Sequence, residues 1–258
     1  LEAAKLGVIL GVSRWLAANQ DRMQDYRVSM LVPALLAGLP AFALLQQPDY
    51  GGAMLIAMFT GVLIFAAGAR LDHLACTAAA MAPLAIAAMF LREYRVARLV
   101  AFLDPWADPQ GGGYQLVQSQ LAFGAGGWLG AGFGAGQQKL FFLPEAHNDF
   151  ILSVVGEEVG LLGVAAVLVG FAVLTLSSLG IAQRAKTPFA TLAAVGASLL
   201  LWMQALLNSG VAMGLLPTKG STLPLVSYGG TSLIASLAAI GLILNAARAT
   251  KRGRPGWR

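Results

Sequence analysis

The sequence predicts an all-α fold, a polytopic bundle of transmembrane helices with one long structured extracytoplasmic loop. Three observations carry this. Hydrophobic residues fill 57% of the 258 positions and charged residues only 11%, against about 25% charged in ordinary soluble domains. The mean hydropathy is +0.71. Apolar runs recur at the roughly 20 residues that a membrane-spanning helix needs, and a soluble helical domain does not sustain repeated runs of that length. A single integral membrane domain over 1–258 is expected, with 92–148 inserted between spans as the outer loop.

Seven spans follow in order, at roughly 3–18, 28–46, 51–69, 72–91, 149–180, 187–213 and 223–247. The polar stretch Asn19–Arg27 separates the first two, Arg70 and Asp72 mark the turn between the third and fourth, and Arg184 and Lys186 mark the turn between the fifth and sixth. With alternating spans, eleven basic residues fall on one side: Arg14, Arg22, Arg27, Arg70, Arg184, Lys186, Arg248, Lys251, Arg252, Arg254 and Arg258. Five fall on the other: Arg92, Arg95, Arg98, Lys139 and Lys219. Positive charge collects on the cytoplasmic side. The connections at 47–50, 92–148 and 214–222, and Asp149 with them, are therefore expected to face outward.

Composition also excludes. The lone Cys76 permits no disulfide within the chain and no cysteine metal motif. The net charge of +5 is accounted for by topology and gives no reason to expect nucleic acid. The chain opens on Leu1, and Glu2-Ala-Ala-Lys5 reads as the interior of a helix, so N-terminal spans are expected to lie outside it.

The outer connection is too long for a plain link and too aromatic for disorder. Arg92, Arg95 and Arg98, three apart, share one helical face. They suit either an interfacial helix snorkelling toward head groups or a site for phosphate oxygens. Tyr114–Phe123 reads as an amphipathic helix. The glycine-rich run 124–136 lacks the spacing of a nucleotide fingerprint, which leaves flexible backbone that packs tightly or moves.

The chemistry concentrates in Leu143-Pro-Glu-Ala-His-Asn-Asp-Phe150. Pro144 suits the first turn of a helix. From there Glu145, Asp149, Ser153 and Glu157 would form a polar stripe at steps of four. Acids at membrane depth are costly and face the protein interior or a wet cavity. Glu157 and Glu158 either line such a cavity or pair with a buried cation, for which Lys5 is available. A helix N-terminus would lower the pKa of Asp149, whereas burial or Glu145 would raise it. The two histidines, His73 and His147, have no zinc spacing. Gln47-Pro-Asp-Tyr-Gly-Gly52, Leu216-Pro-Thr-Lys-Gly220 and the Pro224 and Ser227–Ser232 stretch imply irregular backbone. Such backbone survives at membrane depth only when protein or a water-filled cavity covers it.

Leu143–Ile151 followed by Gly156-Glu-Glu-Val-Gly160, and Leu216–Gly220 followed by Leu223-Pro-Leu-Val-Ser-Tyr-Gly-Gly230, resemble the signatures of the SEDS family of bacterial cell-wall polymerases. Gln47–Gly51, Phe102-Leu-Asp-Pro105 and Gly113-Tyr-Gln-Leu116 add to the likeness, which covers essentially the whole chain. Pro-Thr-Lys-Gly and Pro-Glu-Ala-His are more like the family's division branch than its elongation branch. The resemblance implies a ten-span fold, of which this chain would hold seven. It implies a peptidoglycan glycosyltransferase polymerising lipid II at the outer face of the bacterial cytoplasmic membrane, at the division septum. It implies a class B penicillin-binding transpeptidase and other divisome membrane proteins as partners. Asp149 is then the expected general base. Arg92, Arg95, Arg98, Lys219 and Lys5, or a divalent cation (Mg or Mn), are expected to hold diphosphate. Glu145, His147, Gln115, Gln118, Asn208, Ser227, Tyr228 and Gly229 complete the expected substrate site. Some division-branch sequences carry an acid where Phe141 stands; if that acid assists catalysis there, either Glu145 takes its part here or the part is not needed. A lipid II flippase or other lipid-linked sugar transporter, and a non-catalytic divisome scaffold, are the competing readings.

Overall fold

The computed structural model describes residues 2–47, 49–138 and 143–251, with side chains described to Arg248. Lys139, Phe141, Arg252, Arg254 and Arg258, all used in the sequence argument, lie outside the described residues. Every regular element among the described residues is helical: α1 (Glu2–Ala18), α2 (Val32–Gln46), α3 (Tyr50–Ala66), α4 (Leu71–Phe90), α5 (Glu93–Leu103), α6 (Tyr114–Gly126), α7 (Ile151–Gln183), α8 (Pro188–Ala212) and α9 (Gly230–Lys251). A π-helical turn, Arg27–Leu31, leads into α2.

Five of the seven expected spans are long and apolar enough to cross a membrane: Arg27–Gln46, Leu71–Phe90, Ile151–Gln183, Pro188–Ala212 and Gly230–Arg248. The chain is thus a multi-pass membrane protein. α1 and α3, at 17 residues each, sit at the lower edge of membrane-crossing length. The last span starts later than its apolar run. Pro224 and the left-handed Leu225 (φ 65°) keep 223–229 in turns, and the helix begins at Gly230.

The chain forms two compact units. The first comprises Leu1–Ile86, Leu174–Leu201 and Ile234–Arg258. Its core holds Ile9, Leu16, Leu55, Ile56, Phe59 and Leu63, all fully buried. A Cβ on Gly196 of α8 would press on Ile9 and Leu63, so the missing side chain lets the helices approach. Trp15 Nε1 donates to the Val28 carbonyl (3.0 Å) and fixes α1 to the π-helical turn. Tyr26 packs edge-on against His73 and its hydroxyl bonds Thr77 of α4.

The second unit comprises Ala87–Val173 and Trp202–Leu233. Leu143, Ala146, Phe150, Leu152, Ala205, Val211, Ala212 and Leu223 form its core. Beside them, Ser119 of α6 bonds Ser153 of α7 (2.6 Å) and the Ala212 carbonyl of α8. One polar knot therefore joins three helices where no water reaches.

α7 is interrupted at Gly160 (φ 75°, ψ −168°). The groups freed there are taken up by the glycine-rich run. Leu161 N–H donates to the Gly127 carbonyl (2.9 Å) and Leu162 N–H to that of Trp128 (3.3 Å). Ala131 and Gly132 N–H donate to the Glu157 and Glu158 carbonyls (2.9 and 3.1 Å). The run is thus pinned along the broken helix, the tight-packing alternative of the two expected from the sequence. Glycine is required: a Cβ on Gly126 or Gly130 would overlap the Gly156 or Glu158 carbonyl.

Candidate active site

Residues 143–150 do not extend α7 back to Pro144 as expected. Glu145 takes a left-handed conformation (φ 56°), which ends any helix there. Its carbonyl instead accepts from the N–H groups of Asn148 and Asp149 (both 3.0 Å) and of Phe150 (3.3 Å). The segment winds into successive turns, with Leu143, Ala146 and Phe150 sunk in the core. Glu145 and His147 are exposed and Asp149 is half-buried. The predicted stripe is therefore divided. Glu145 stands at the surface, Ser153 is tied to Ser119, and Glu157 faces the glycine-rich run.

Three consecutive carbonyls of this segment are held from outside it. The Tyr228 N–H donates to the His147 carbonyl (3.0 Å). The Ser227 hydroxyl donates to that of Asn148. Asn208 Nδ2 donates to that of Asp149 (2.7 Å) and also to that of Ser221. Ser227 Oγ in turn accepts from the Leu223 N–H (2.7 Å). Asn208 and Ser227 were expected to contact substrate. The structure places Asn208 Nδ2 and Ser227 Oγ on backbone carbonyls, where they fix the Asp149 segment and leave the Asp149 carboxylate outside the network.

The electrostatics of Asp149 follow from this placement. Burial, and then the negative charge of Glu145, push its pKa above the ordinary carboxylate value, while Arg98 and Lys219 pull it down. Burial wins, so the helix-end lowering weighed from the sequence does not govern. Both cations are near enough for their charge to act on the carboxylate. A Cβ on Gly220 would stand 3.1 Å from Asp149 Oδ2. The Lys219-Gly220 backbone therefore lies against the carboxylate, with glycine leaving it room.

Beside this segment opens a cavity of about 790 Å³, lined by His147, Ile151, Leu225, Val226, Ser227, Tyr228, Gly229, Gly230 and Leu233. Asp149 is not in its wall; the residues two before and two after it are. The lining is mostly apolar, with His147 and the exposed Tyr228 as its polar edge.

The other expected residues are placed as follows. Arg92 caps α5 and is exposed, as is Arg98. Arg95 is buried, with Nε on the Tyr94 hydroxyl (2.9 Å) and Nη1 on the Ala88 carbonyl. The shared arginine face is thus broken, and Arg95 holds protein rather than facing out. Gln115 and Gln118 are half-buried on α6. Lys5 belongs to the first unit, where it is buried against Glu2 at 2.6 Å. Of the two alternatives for Glu157, pairing with a buried cation gives way to backbone donors: its carboxylate accepts the N–H groups of Gln137 (2.8 Å) and Gln138 (3.1 Å). Sequence reasoning missed Gly220 and the backbone role of Ser221. Neither has a chemical signature apart from its position beside Lys219.

Comparison with known proteins identifies the family. The family model FtsW/RodA/SpoVE, described as cell cycle protein, matches residues 1–252. "Probable peptidoglycan glycosyltransferase FtsW" of Thioalkalivibrio sulfidiphilus is 44% identical over 261 residues, covering 98% of this chain and 64% of that protein. The protein of the same name from Geobacter sp. (strain M18) is 41% identical over 244 residues, covering 95% of this chain and 66% of that one. The chain thus spans just under two thirds of the length of these relatives. Among solved structures, one described as "Structural coordination of polymerization and crosslinking by a peptidoglycan synthase complex" superposes with a TM-score of 0.78 at 33% identity, over 96% of this chain and 69% of that one. The rod shape determining protein RodA of Thermus thermophilus superposes with a TM-score of 0.65 at 30% identity, over 98% of this chain and 66% of that one. This chain belongs to the FtsW/RodA/SpoVE family of cell cycle proteins.

Proposed function

We propose that this chain carries the polymerase site of a peptidoglycan glycosyltransferase of the FtsW type. The site joins lipid II units at the outer face of the bacterial cytoplasmic membrane during septal wall synthesis. The observation that carries this reading is the Asp149 carboxylate, raised in pKa, left out of the surrounding hydrogen-bond network, and flanked by Arg98 and Lys219. Glycosyl transfer needs a base for the attacking sugar hydroxyl and positive charge for the departing lipid diphosphate. Asp149 accepts the hydroxyl proton as the oxygen bonds the anomeric carbon, and the carbon–diphosphate bond breaks with its electrons going to the diphosphate. Arg98 and Lys219 hold that charge, with Arg92 further along the same helix. His147, Tyr228 and Gly229 bound the adjacent apolar cavity, which suits the lipid end of the substrate. Gln115 and Gln118 stay in the proposal as more remote contacts, and Lys5, buried against Glu2, is left out of it.

Among the described residues no group of three or more His, Cys, Asp and Glu could hold a metal ion. Mg²⁺ commonly binds through one or two carboxylates plus substrate phosphates, and Asp149 with Glu145 would serve for Mg or Mn. Such an ion would neutralise the diphosphate.

A class B penicillin-binding transpeptidase is the proposed partner, since one structural relative comes from a complex described as coordinating polymerisation and crosslinking. Other divisome membrane proteins extend that proposal. The test is polymerisation of purified lipid II by the complete protein with its transpeptidase. Asp149→Ala and Asp149→Asn should abolish glycan strands while the thermal unfolding midpoint stays within a few degrees of the parent. Undiminished polymer from either variant rejects Asp149 as base.

A further inference from the structure

We propose that the glycine-rich run 124–136 is a membrane-interface anchor, with Trp128, Leu129 and Phe133 seated in the lipid on the Asp149 side of the bilayer. The proposal does not depend on the reaction assigned to Asp149.

The run contains no charged side chain, and its only polar one is the Trp128 indole. Trp128, Leu129 and Phe133 are 73, 78 and 87% exposed, an apolar surface that water would disfavour. Leu161 and Leu162 of α7, 45 and 57% exposed, lie where the run is bonded and continue the patch.

What covers the patch is fixed by the register of the run on α7. The backbone bonds to residues 157–162 place it at the level of the Gly160 break. Charge along α7 stops at Glu158, and from Val159 to Gln183 there is none. That uncharged stretch measures about 37 Å at 1.5 Å per residue, already more than the roughly 30 Å of bilayer hydrocarbon. The whole of α7, 33 residues, is longer than one crossing requires. The hydrocarbon boundary therefore falls near Gly160, not at Asp149, and the run lies at that boundary. Irregular backbone is tolerated there when its polar groups are bonded within the protein. The N–H groups of Ala131 and Gly132 and the carbonyls of Gly127 and Trp128 are so bonded. Tryptophan is enriched at this depth because its ring is apolar and its N–H is not. The occupant is thus lipid at the boundary between head group and acyl chain. The anchor would hold Asp149, about 15 Å further along the chain axis, at a set height above the bilayer.

The test uses the complete protein in phosphatidylcholine–phosphatidylglycerol bilayers without partners, with every tryptophan except Trp128 replaced by phenylalanine. Lipid brominated near the head-group end of its acyl chains should remove most of the Trp128 emission. Lipid brominated near the chain terminus should remove less, and aqueous iodide little. Because Trp202 packs against the core and its replacement can unfold the protein, a second variant carries a nitroxide at Phe133→Cys in a Cys76→Ser background. It should be relaxed more by oxygen than by a water-soluble nickel chelate. Quenching by iodide and relaxation by nickel would overturn the proposal in favour of a water-facing patch awaiting a protein partner. Insensitivity to both lipid and aqueous agents would overturn it in favour of burial within the chain.

Discussion

Asp149 is held by its backbone, its carboxylate makes no hydrogen bond among the described residues, and its chemistry follows. Since burial and Glu145 raise its pKa, the acid limb of the polymerisation rate should lie above the ordinary aspartate value of about 3.9. Glu145→Gln removes a raising charge and should move that limb to lower pH. Lys219→Met removes a lowering charge and should move it higher, with weaker substrate binding as well. A rate–pH profile of each variant reads both signs, and shifts in the reverse direction would refute the assignment. The same raised pKa has a stability consequence. The folded protein favours protonated Asp149, so this residue's contribution is fullest below its unfolded pKa and is lost as pH rises through the folded one. Asp149→Asn should therefore unfold at slightly higher temperature than the parent at neutral pH. Asn208 acts one step back. Its amide joins the carbonyls of Asp149 and Ser221, binding the base to the segment that follows Lys219. At about 0.5–1.5 kcal/mol per hydrogen bond, Asn208→Ala should lower the melting midpoint measurably. It should also reduce kcat more than it raises KM, because misplaced groups harm the transition state most. An effect confined to KM would return Asn208 to the role of substrate contact.

At the scale of elements, the junction between the glycine-rich run and α7 stands out. Gly160 adopts a positive-φ, extended conformation (φ 75°, ψ −168°) open essentially to glycine alone and costing another residue about 1–3 kcal/mol, and a Cβ there would meet the Trp128 carbonyl and the Gly130 nitrogen. Gly160→Ala should lower the thermal midpoint in detergent; an unchanged midpoint would mean that the helix simply closes its break. Glu157 holds the other end of the run. Hydrogen bonds to a charged group are worth about 1.5–3 kcal/mol, so Glu157→Gln should speed amide hydrogen exchange at Gln137 and Gln138 while exchange in α8 stays as it was. The contrast between spans and junction explains what the sequence makes legible. Apolar runs of membrane length announce α2, α4, α7 and α8 to within a few residues, because lipid imposes both length and composition. The break at Gly160 is silent, since a glycine within an apolar run reads the same whether or not the helix continues. Backbone pairing between 127–132 and 157–162 leaves no side-chain pattern at all. The site was legible in its ionisable residues, whose chemistry is in their names. It was illegible in Asn208 and Ser227, because nothing in an amide or a hydroxyl says whether it will meet a ligand or a carbonyl.

For the whole molecule, the decisive question is whether the protein makes a bond or moves a lipid. A transporter places its cargo site near the bilayer midplane and marks the path with intramembrane ionisable residues. In this chain Arg98, Lys219 and the Asp149 carboxylate on which their charge acts all belong to one compact unit. The stretch of α7 beyond the break carries no charge. Apart from Lys5, which is paired with Glu2, the buried polar side chains described in the other unit, Ser13, Ser29, Thr60, Thr175, Ser178, Ser198 and Ser236, are small hydroxyls. Ser29, Ser178 and Ser198 return their bonds to backbone carbonyls, which suits helix packing better than a path for a diphosphate. Proteoliposomes settle the matter in one preparation. With lipid II on both leaflets, the complete protein and its transpeptidase partner should form glycan strands from the outward pool alone. Fluorescent lipid II should cross the bilayer no faster than in protein-free vesicles. Translocation above that background, surviving Asp149→Ala while polymer disappears, would add transport to the molecule's repertoire. Translocation with no polymer from the unaltered protein would replace the polymerase reading altogether.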